Sequence, residues 1–527
     1  MPSAQTFGIM ATPPAPTFSL SDHRIVKTDD VLCEIFWALE SDHFMSVDEI
    51  RSNRRALVRA ARACKAFRQP ALDVLWSYQD SFMPLFRLLG PAFVDIGKAG
   101  GSSFDIRGTI DANRWRTFLN RAHGIRSLVV VMPHAICRHA FMRLSHKAGG
   151  PILVNLRSFS TTITPEREIE FSLLSLPHLH RIEINSISKG TVSMVESLCT
   201  DLEESPHHLQ SLSLCGDESS PVTSCTLKSI KELTGLTSLK ISGKFVPMDM
   251  DFLVHLGTLQ SLSSLDIQCI KGRFNVSGGI KGFPSLSDFK LTTSDVRLAE
   301  DFFRGIHSRN LSRVHVAVTA TGSEDILKRL IQAIFWDSRL ARSRNLLTLC
   351  YEDVTLNGSP KIPIDYTGYF PSDVGRLQCL EIHSPRYNID TTSRTFVSGA
   401  YYRSSLVTLI LPLVPGFQPM GLGELASVVN NHPKLTSLQI YISPQDCRTP
   451  LPTQNPSPSL RSQIKTLSLG SAVVFSSMDE AIGIAEYLDR LCPYLSDLTG
   501  DGEQVGGWGQ VFKLIRSYQE VRRVYYA

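Results

Sequence analysis

This chain of 527 residues has no long hydrophobic run. Nothing in it reaches the roughly eighteen uninterrupted apolar residues that cross a bilayer, so no membrane span is expected. It also lacks a surplus of either charge. Its 54 Lys+Arg against 50 Asp+Glu leave a formal +4, too little for the basic stripe that tracks a phosphate backbone, and nucleic acid is not an expected partner. The eleven cysteines include no Cys-x-x-Cys pair, and an odd, scattered set points to reduced thiols in the cytoplasm or nucleus. Residues 1–20 carry no basic residue and no apolar core. A secretory leader is therefore not expected, and the Pro-rich residues 11–18 read as part of a flexible lead over 1–21.

Catalytic signatures are missing too. There is no Gly-x-Ser-x-Gly elbow, no His-Glu-x-x-His pair and no dinucleotide fingerprint. Residues 97–103 are glycine-rich and basic but lack the order that wraps a phosphate, so they read as a loop. His134, Cys137 and His139 offer three metal donors without the fourth that structural zinc needs. No metal and no cofactor is expected, and no enzymatic activity.

What the chain does have is a repeat. Leu-x-x-Leu-x-Leu, with other aliphatic residues substituting, returns every twenty-three to thirty-five residues from Ile125 to Leu498. Clear copies are Leu209/Leu212/Leu214, Leu236/Leu239/Ile241, Leu262/Leu265/Ile267, Leu377/Leu380/Ile382, Leu406/Leu409/Leu411, Leu435/Leu438/Ile440 and Ile464/Leu467/Leu469. Degenerate copies begin at Ile125, Leu156, Leu179, Leu286, Leu311, Leu346 and Leu495. From Leu377 the spacings are 29, 29, 29 and 31, a regularity that scattered helices do not produce.

The alternation in Leu-x-Leu puts both apolar residues on one side of a short strand, while the residue between faces the other way. Helical patterns lie between copies, at 191–204, 324–340, 422–431 and 478–492; in the last, Ser477 and Glu480 have the spacing of a capping box. Such units must stack to bury their apolar faces. The expected fold is an α/β leucine-rich-repeat solenoid, a horseshoe with a parallel inner sheet over 125–500. Trp508, Val511, Phe512, Ile515 and Tyr518 share a helical face that would cap it over 501–527. The Asn or Cys usual eight positions after the first Leu is replaced by Asp217, Lys244, Ile270 and Ser443.

A different region precedes the repeats. Val31, Leu32, Ile35, Phe36 and Leu39 have the 3-4 spacing of one helical face, with Thr28 or Asp29 as cap. A basic, alanine-rich amphipathic stretch follows from Ser52, and Pro70 reads as the start of a third helix over 71–76. Three short helices over 22–90 hold too few residues for a large core, so surplus apolar surface would seek a partner. A connecting segment over 91–124 leads to the first repeat.

These residues resemble a family, the F-box. The likeness rests on Val31-Leu32-Cys33-Glu34-Ile35-Phe36-Trp37-Ala38-Leu39, on Cys64-Lys65-Ala66-Phe67-Arg68, and on the closing Leu72 to Trp76. Residues 67–76, Pro84-Leu85-Phe86-Arg87-Leu88-Leu89 and the run from Trp115 to Leu128 are similar to F-box proteins with leucine-rich repeats from mushroom-forming fungi. Where the family usually opens with Leu-Pro, this chain has Val26-Lys27-Thr28-Asp29. The resemblance implies a substrate receptor of an SCF-type (cullin-RING) ubiquitin ligase. Its helices would dock on a Skp-family adaptor, and through it a cullin, with Val31, Leu32, Ile35, Phe36, Leu39, Cys64, Phe67 and Trp76 as the adaptor-binding set. The same residues also fit a plain repeat scaffold or regulator whose helices cap the array.

The residues between the repeat leucines would form the substrate face. They are rich in Ser and Thr with alternating charges, which suits a protein ligand better than a nucleic acid. By residue type Arg313, His315, Glu381 and His383 are the candidate substrate-binding residues. Two Pro-rich stretches, 355–376 and 443–461, are long enough to be binding loops.

Overall fold

The computed structural model describes residues 29–39, 45–97, 103–130, 135–163, 178–188, 190–204, 208–216, 230, 232–243, 250–269, 282–294, 296–319, 326–334, 346–353, 362–364, 377–384, 387–389, 405–412, 420–442, 462–470, 475, 477–500 and 507–526. Its contacts divide the chain into two units, one of residues 1–160 with 170–175, the other of 161–169 with 176–527. Among the described residues no helix is long and apolar enough to cross a membrane.

The first unit opens with three helices, α1 (Asp29–Trp37), α2 (Val47–Ala63) and α3 (Lys65–Ser77). α2 starts five residues before the expected Ser52, because Ser46 caps it. The Glu49 N–H donates to Ser46 Oγ at 3.3 Å, and the Ser46 N–H donates to the Glu49 carboxylate at 2.8 Å. α3 likewise begins before Pro70. Extended backbone at Cys64 (φ −154°) breaks α2 from α3, and Pro70 sits buried in the second turn of α3, without an N–H to donate back along the helix. The three helices share a core of Leu32, Phe36, Leu57, Ala71 and Val74, with Phe67 edge-on to Phe36 at 5.6 Å.

The same unit holds β1 (Tyr78–Gln79), β2 (Phe93–Asp95), β3 (Ser103–Ile106), β4 (Ser127–Val130) and β5 (Ala135–Ile136); the division falls within β6 (Ser158–Thr162). α3 runs directly into β1, which pairs in parallel with β4, and the Arg126 N–H donates to Ser77 O at 2.8 Å. A second core gathers Phe82, Phe86, Phe93, Phe118 and Phe141, whose rings meet Phe86 at 5.4 to 6.1 Å.

The second unit is a parallel sheet whose strands follow one another in chain order. They are β7 (Arg181–Ile187), β8 (Ser211–Gly216), β9 (Ser238–Ser242), β10 (Ser264–Cys269), β11 (Asp288–Thr293), β12 (Arg313–Val318), β13 (Thr348–Asp353), β15 (Cys379–His383), β17 (Thr408–Ile410), β18 (Ser437–Ile440), β19 (Thr466–Leu469) and β20 (Asp497–Gly500). A separate parallel pair joins β14 (Ile362–Ile364) to β16 (Tyr387–Ile389). Apart from β14, both stretches singled out as long loops, 355–376 and 443–461, lie outside the described residues.

Every strand from β7 onward in this sheet begins two residues after the first aliphatic of its repeat, and from β8 onward neighbours pair without stagger. Leu212, Leu239, Leu265, Phe289, Val314, Leu349, Leu380, Leu409, Leu438 and Leu467 therefore stand in one buried row, each 3% exposed or less. Burying each such side chain contributes about 1.5–3 kcal/mol, and each is buried only because its neighbours on both strands supply the walls.

A second device holds the turns together. At the residue before each strand, one carbonyl accepts two backbone N–H groups from the next repeat: Gln210 O from Thr237 and Ser238 at 2.8 and 2.9 Å, Thr237 O from Ser263 and Ser264 at 2.8 and 3.0 Å. A hydroxyl often adds a third bond. Thr237 Oγ1 donates to Gln210 O at 2.9 Å, and Ser263, Ser287 and Ser312 donate to Thr237, Ser263 and Ser287 carbonyls at 3.0 Å each. This Ser/Thr ladder ties successive turns at strand starts in a chain that lacks the usual Asn or Cys further on.

Helices cover the buried face. In Val296–Gly305, Phe302 and Phe303 meet Phe289 of β11 at 5.4 and 5.6 Å. The expected helices appear at Val192–Glu204, Leu422–Asn431 and Met478–Leu491; the one expected over 324–340 is seen at Ile326–Gln332. The closing helix, Gly507–Tyr526, buries Trp508, Val511 and Ile515 and leaves Phe512 and Tyr518 half-buried. Gln519 Nε2 donates to Leu495 O at 2.9 Å, Arg516 donates to Ser496 O at 3.0 Å, and Arg522 pairs with Asp489 at 2.5 Å. Only a glycine at 500 admits Trp508, since a Cβ there would lie 2.5 Å from its ring.

Candidate functional site

Two surfaces carry the residues singled out by sequence. The first is α1. Its 3-4 spacing sends Leu32 and Phe36 inward, at 2% and 6% exposed, and leaves Val31 and Ile35 outward, at 40% and 51%. Leu39 and Phe67 are half-buried against the helical core, Cys64 is exposed at the break between α2 and α3, and Trp76 is half-buried with the Arg121 guanidinium 6.0 Å over its ring. Arg121 also pairs with Asp73 at 3.3 Å; burial nonetheless pushes the Asp73 carboxyl above its ordinary pKa, with Arg121 opposing. Residues 26–28, at the place of the family's Leu-Pro, lie outside the described residues. Val31 and Ile35 thus form an exposed aliphatic pair on a folded helix whose i+1 residues, Leu32 and Phe36, are committed to the core.

The second surface is the open face of the repeat sheet. Zero stagger converts the residues between the repeat leucines into rows. One row runs Ser213, Lys240, Asp266, Lys290, His315, Cys350 and Glu381 across β8 to β15. The row two residues earlier contains Asp288, Arg313, Thr348 and Cys379; the row two residues later contains Glu352 and His383. Arg313 is exposed and pairs with Asp288 of the neighbouring strand at 2.7 Å. Asp266 lies between Lys240 and Lys290. Partial burial raises its pKa against the pull of both lysines and of His315.

Of the four candidate substrate residues, three converge and one stands apart from them in the pairing. His315 Nε2 is 3.4 Å from a Glu352 carboxylate oxygen, and His383 Nε2 is 3.4 Å from Glu381. Cys350 lies between these two pairs and is 7% exposed; Cys379 Sγ donates to Glu381 Oε1 at 3.2 Å. Burial, with Glu381 and Glu352 nearby, pushes the Cys350 thiol up to about 12, and burial with the hydrogen bond to Glu381 pushes Cys379 to about 12 as well. Cys350 and Cys379 lie between repeat aliphatics and so belong to this face, and the strand register sets them beside the histidines. The signal is the middle position of each Leu-x-Leu, which puts His315, Cys350 and Glu381 in one column once the motifs are aligned.

The set His134, Cys137 and His139 does not form a comparable group among the described residues. His134 lies outside them, and the His139 ring pairs with Asp105 at 3.4 Å. The glycine-rich stretch at 97–103 is likewise described only at its ends.

In-register parallel strands on an aliphatic repeat, backed by helices, define the second unit as an α/β repeat array with an open polar face. No protein-family model matches the chain, and no curated protein matches it.

Proposed function

We propose that the chain is the substrate-recognition subunit of an SCF-type (cullin-RING) E3 ubiquitin ligase, docking through its N-terminal helices on a Skp-family adaptor and holding a protein substrate on the open face of its repeats. It is a receptor and not itself a catalyst. One observation supports this most: α1 keeps Val31 and Ile35 outward while Leu32 and Phe36 fill the helical core, the division of labour a docking helix needs. The open face supports the second half. It offers Ser and Thr hydroxyls and charges of both signs, among them Lys240, Asp266, Lys290 and Arg313, which suit the mixed polar surface of a protein ligand.

A second reading has its own observation. α3 runs without a break into β1, and β1 pairs in parallel with β4 of the same unit, an arrangement that also suits the capping element of a repeat protein. The experiment that separates them uses the full-length chain, wild type beside Val31→Asp/Ile35→Asp, captured on purified Skp-family adaptor. Both positions are exposed, so the double variant should melt like wild type, whereas a charge at Phe36 would unfold the helices. Capture lost only in the double variant supports the ligase reading. Capture unchanged in it, or no capture of folded wild type, leaves the helices as a cap on a repeat scaffold.

A further inference from the structure

The cluster on β12, β13 and β15 has the makings of a metal site, and this inference stands whether or not the chain serves a ubiquitin ligase. His315, Cys350 and Glu381 are paired across three adjacent strands, and Glu352 is paired with His383 one row on. Side chains that share a face are about 4.8 Å apart across strands and about 7 Å apart along one, so five donors here crowd into a patch two strand spacings wide. The donor atoms of His315, Cys350 and Glu352 all lie within 4.8 Å of one another, and so do those of Cys350, Glu381 and His383. Cys350 belongs to both triads.

A second observation comes from outside the spacing. His315 Nε2 is buried from solvent and makes no hydrogen bond in the structure, although Glu352 Oε1 is 3.4 Å away. A buried ring nitrogen normally has a partner, and this one points into the cluster. The distances also suit an ion. Zn–N bonds of about 2.0–2.1 Å and Zn–S of about 2.3 Å in a tetrahedron put ligand atoms about 3.3–3.8 Å apart. The His315–Glu352 and Glu381–His383 pairs at 3.4 Å already meet that, and the other separations within each triad are 4.8 Å or less.

We propose that this patch binds one divalent transition-metal ion of the zinc class in a four-coordinate site, seated on the Cys350 sulfur and completed by His315, His383 and one carboxylate, Glu352 or Glu381. Imidazole and thiolate together select zinc-class ions; magnesium and calcium prefer all-oxygen sites. Binding is not a redox step. The Cys350 thiol releases its proton to solvent as the metal–sulfur bond forms, and the histidines bind as neutral rings.

The test is a cobalt titration of full-length protein, reduced and stripped with a chelator. Wild type should bind one equivalent of Co²⁺, with a thiolate-to-cobalt charge-transfer band in the near ultraviolet and visible bands of tetrahedral intensity, all displaced by Zn²⁺. Cys350→Ser should abolish the charge-transfer band and weaken Zn²⁺ binding by at least about 100-fold, and His315→Ala and His383→Ala should each weaken it by at least about 10-fold. Cys215→Ser, which removes a thiol on β8, should leave the band intact. Because His383 is exposed, its variant folds even if Cys350→Ser does not. The proposal is overturned if folded wild type shows no charge-transfer band, if the band survives in Cys350→Ser, or if His383→Ala binds Zn²⁺ like wild type.

Discussion

His432 should make the repeat unit lose stability in mild acid. It closes the helix Leu422–Asn431, its N–H donating to Val428 O at 3.2 Å, and is 5% exposed. Burial holds its imidazole at a pKa of about 4, against an ordinary 6.5. Below pH 6.5 the unfolded chain takes up a proton that the native protein refuses until pH 4, so the stability conferred by the neutral ring is present above 6.5 and lost as the pH falls toward 4. At about 1.4 kcal/mol per pH unit the full loss is about 3 kcal/mol, of which about 2 kcal/mol is gone by pH 5. The assay is urea denaturation at pH 7.5, 6 and 5 for wild type and His432→Phe, which keeps the ring's bulk and removes its titration. Other titrating groups affect both proteins alike, so the difference isolates His432. Wild type should lose about 2 kcal/mol more than the variant between pH 7.5 and 5. Parallel profiles, within about 0.5 kcal/mol, would refute the reasoning.

Two further outcomes follow from the geometry. Gly282 has φ +156°, and a Cβ there would lie 2.2 Å from Gly257 O, so Gly282→Ala should destabilise the protein by about 2–4 kcal/mol, read as a lower urea midpoint at unchanged slope. In metal-free protein at pH 8, Cys350 and Cys379, with thiols at about 12 instead of 9.0, should hold about 1000-fold less thiolate than ordinary cysteines; mass-spectrometric mapping of iodoacetamide labelling should find both unmodified while the exposed Cys64 is alkylated.

The array was legible because one spacing carries it. Each of the fourteen repeat starts, from Ile125 to Leu495, precedes a strand by two residues. β1 was missed since Tyr78 and Gln79 carry no Leu-x-Leu; only pairing with β4 makes them a strand. The early start of α2 was in fact written in Ser46 and Glu49, a capping box obscured by the more conspicuous basic run behind it. On α1 the periodicity located the helix but could not say which half of an apolar face turns inward, because that depends on where α2 and α3 lie. On the sheet, residue type marked His315, Glu381 and His383. Cys350 and Glu352 joined them only through register, since the intervening repeat is the longest, at 35 residues, and its strand lacks the plain leucine pattern. The Ser/Thr ladder was invisible for another reason: a hydroxyl's donor role depends on a carbonyl about 25 residues earlier.

The closing helix has a consequence for self-association. A parallel sheet built by adding identical rungs has no intrinsic reason to stop, and its last strand presents a row of free backbone groups to any second molecule. Here Arg516 and Gln519 take up carbonyls of Pro493, Leu495 and Ser496 in the turn leading into β20, and Trp508 lies across Gly500 at its end, so the helix covers this edge. The helix thus acts as a terminator as well as a lid, since a second copy would have to displace it before adding a strand at this edge.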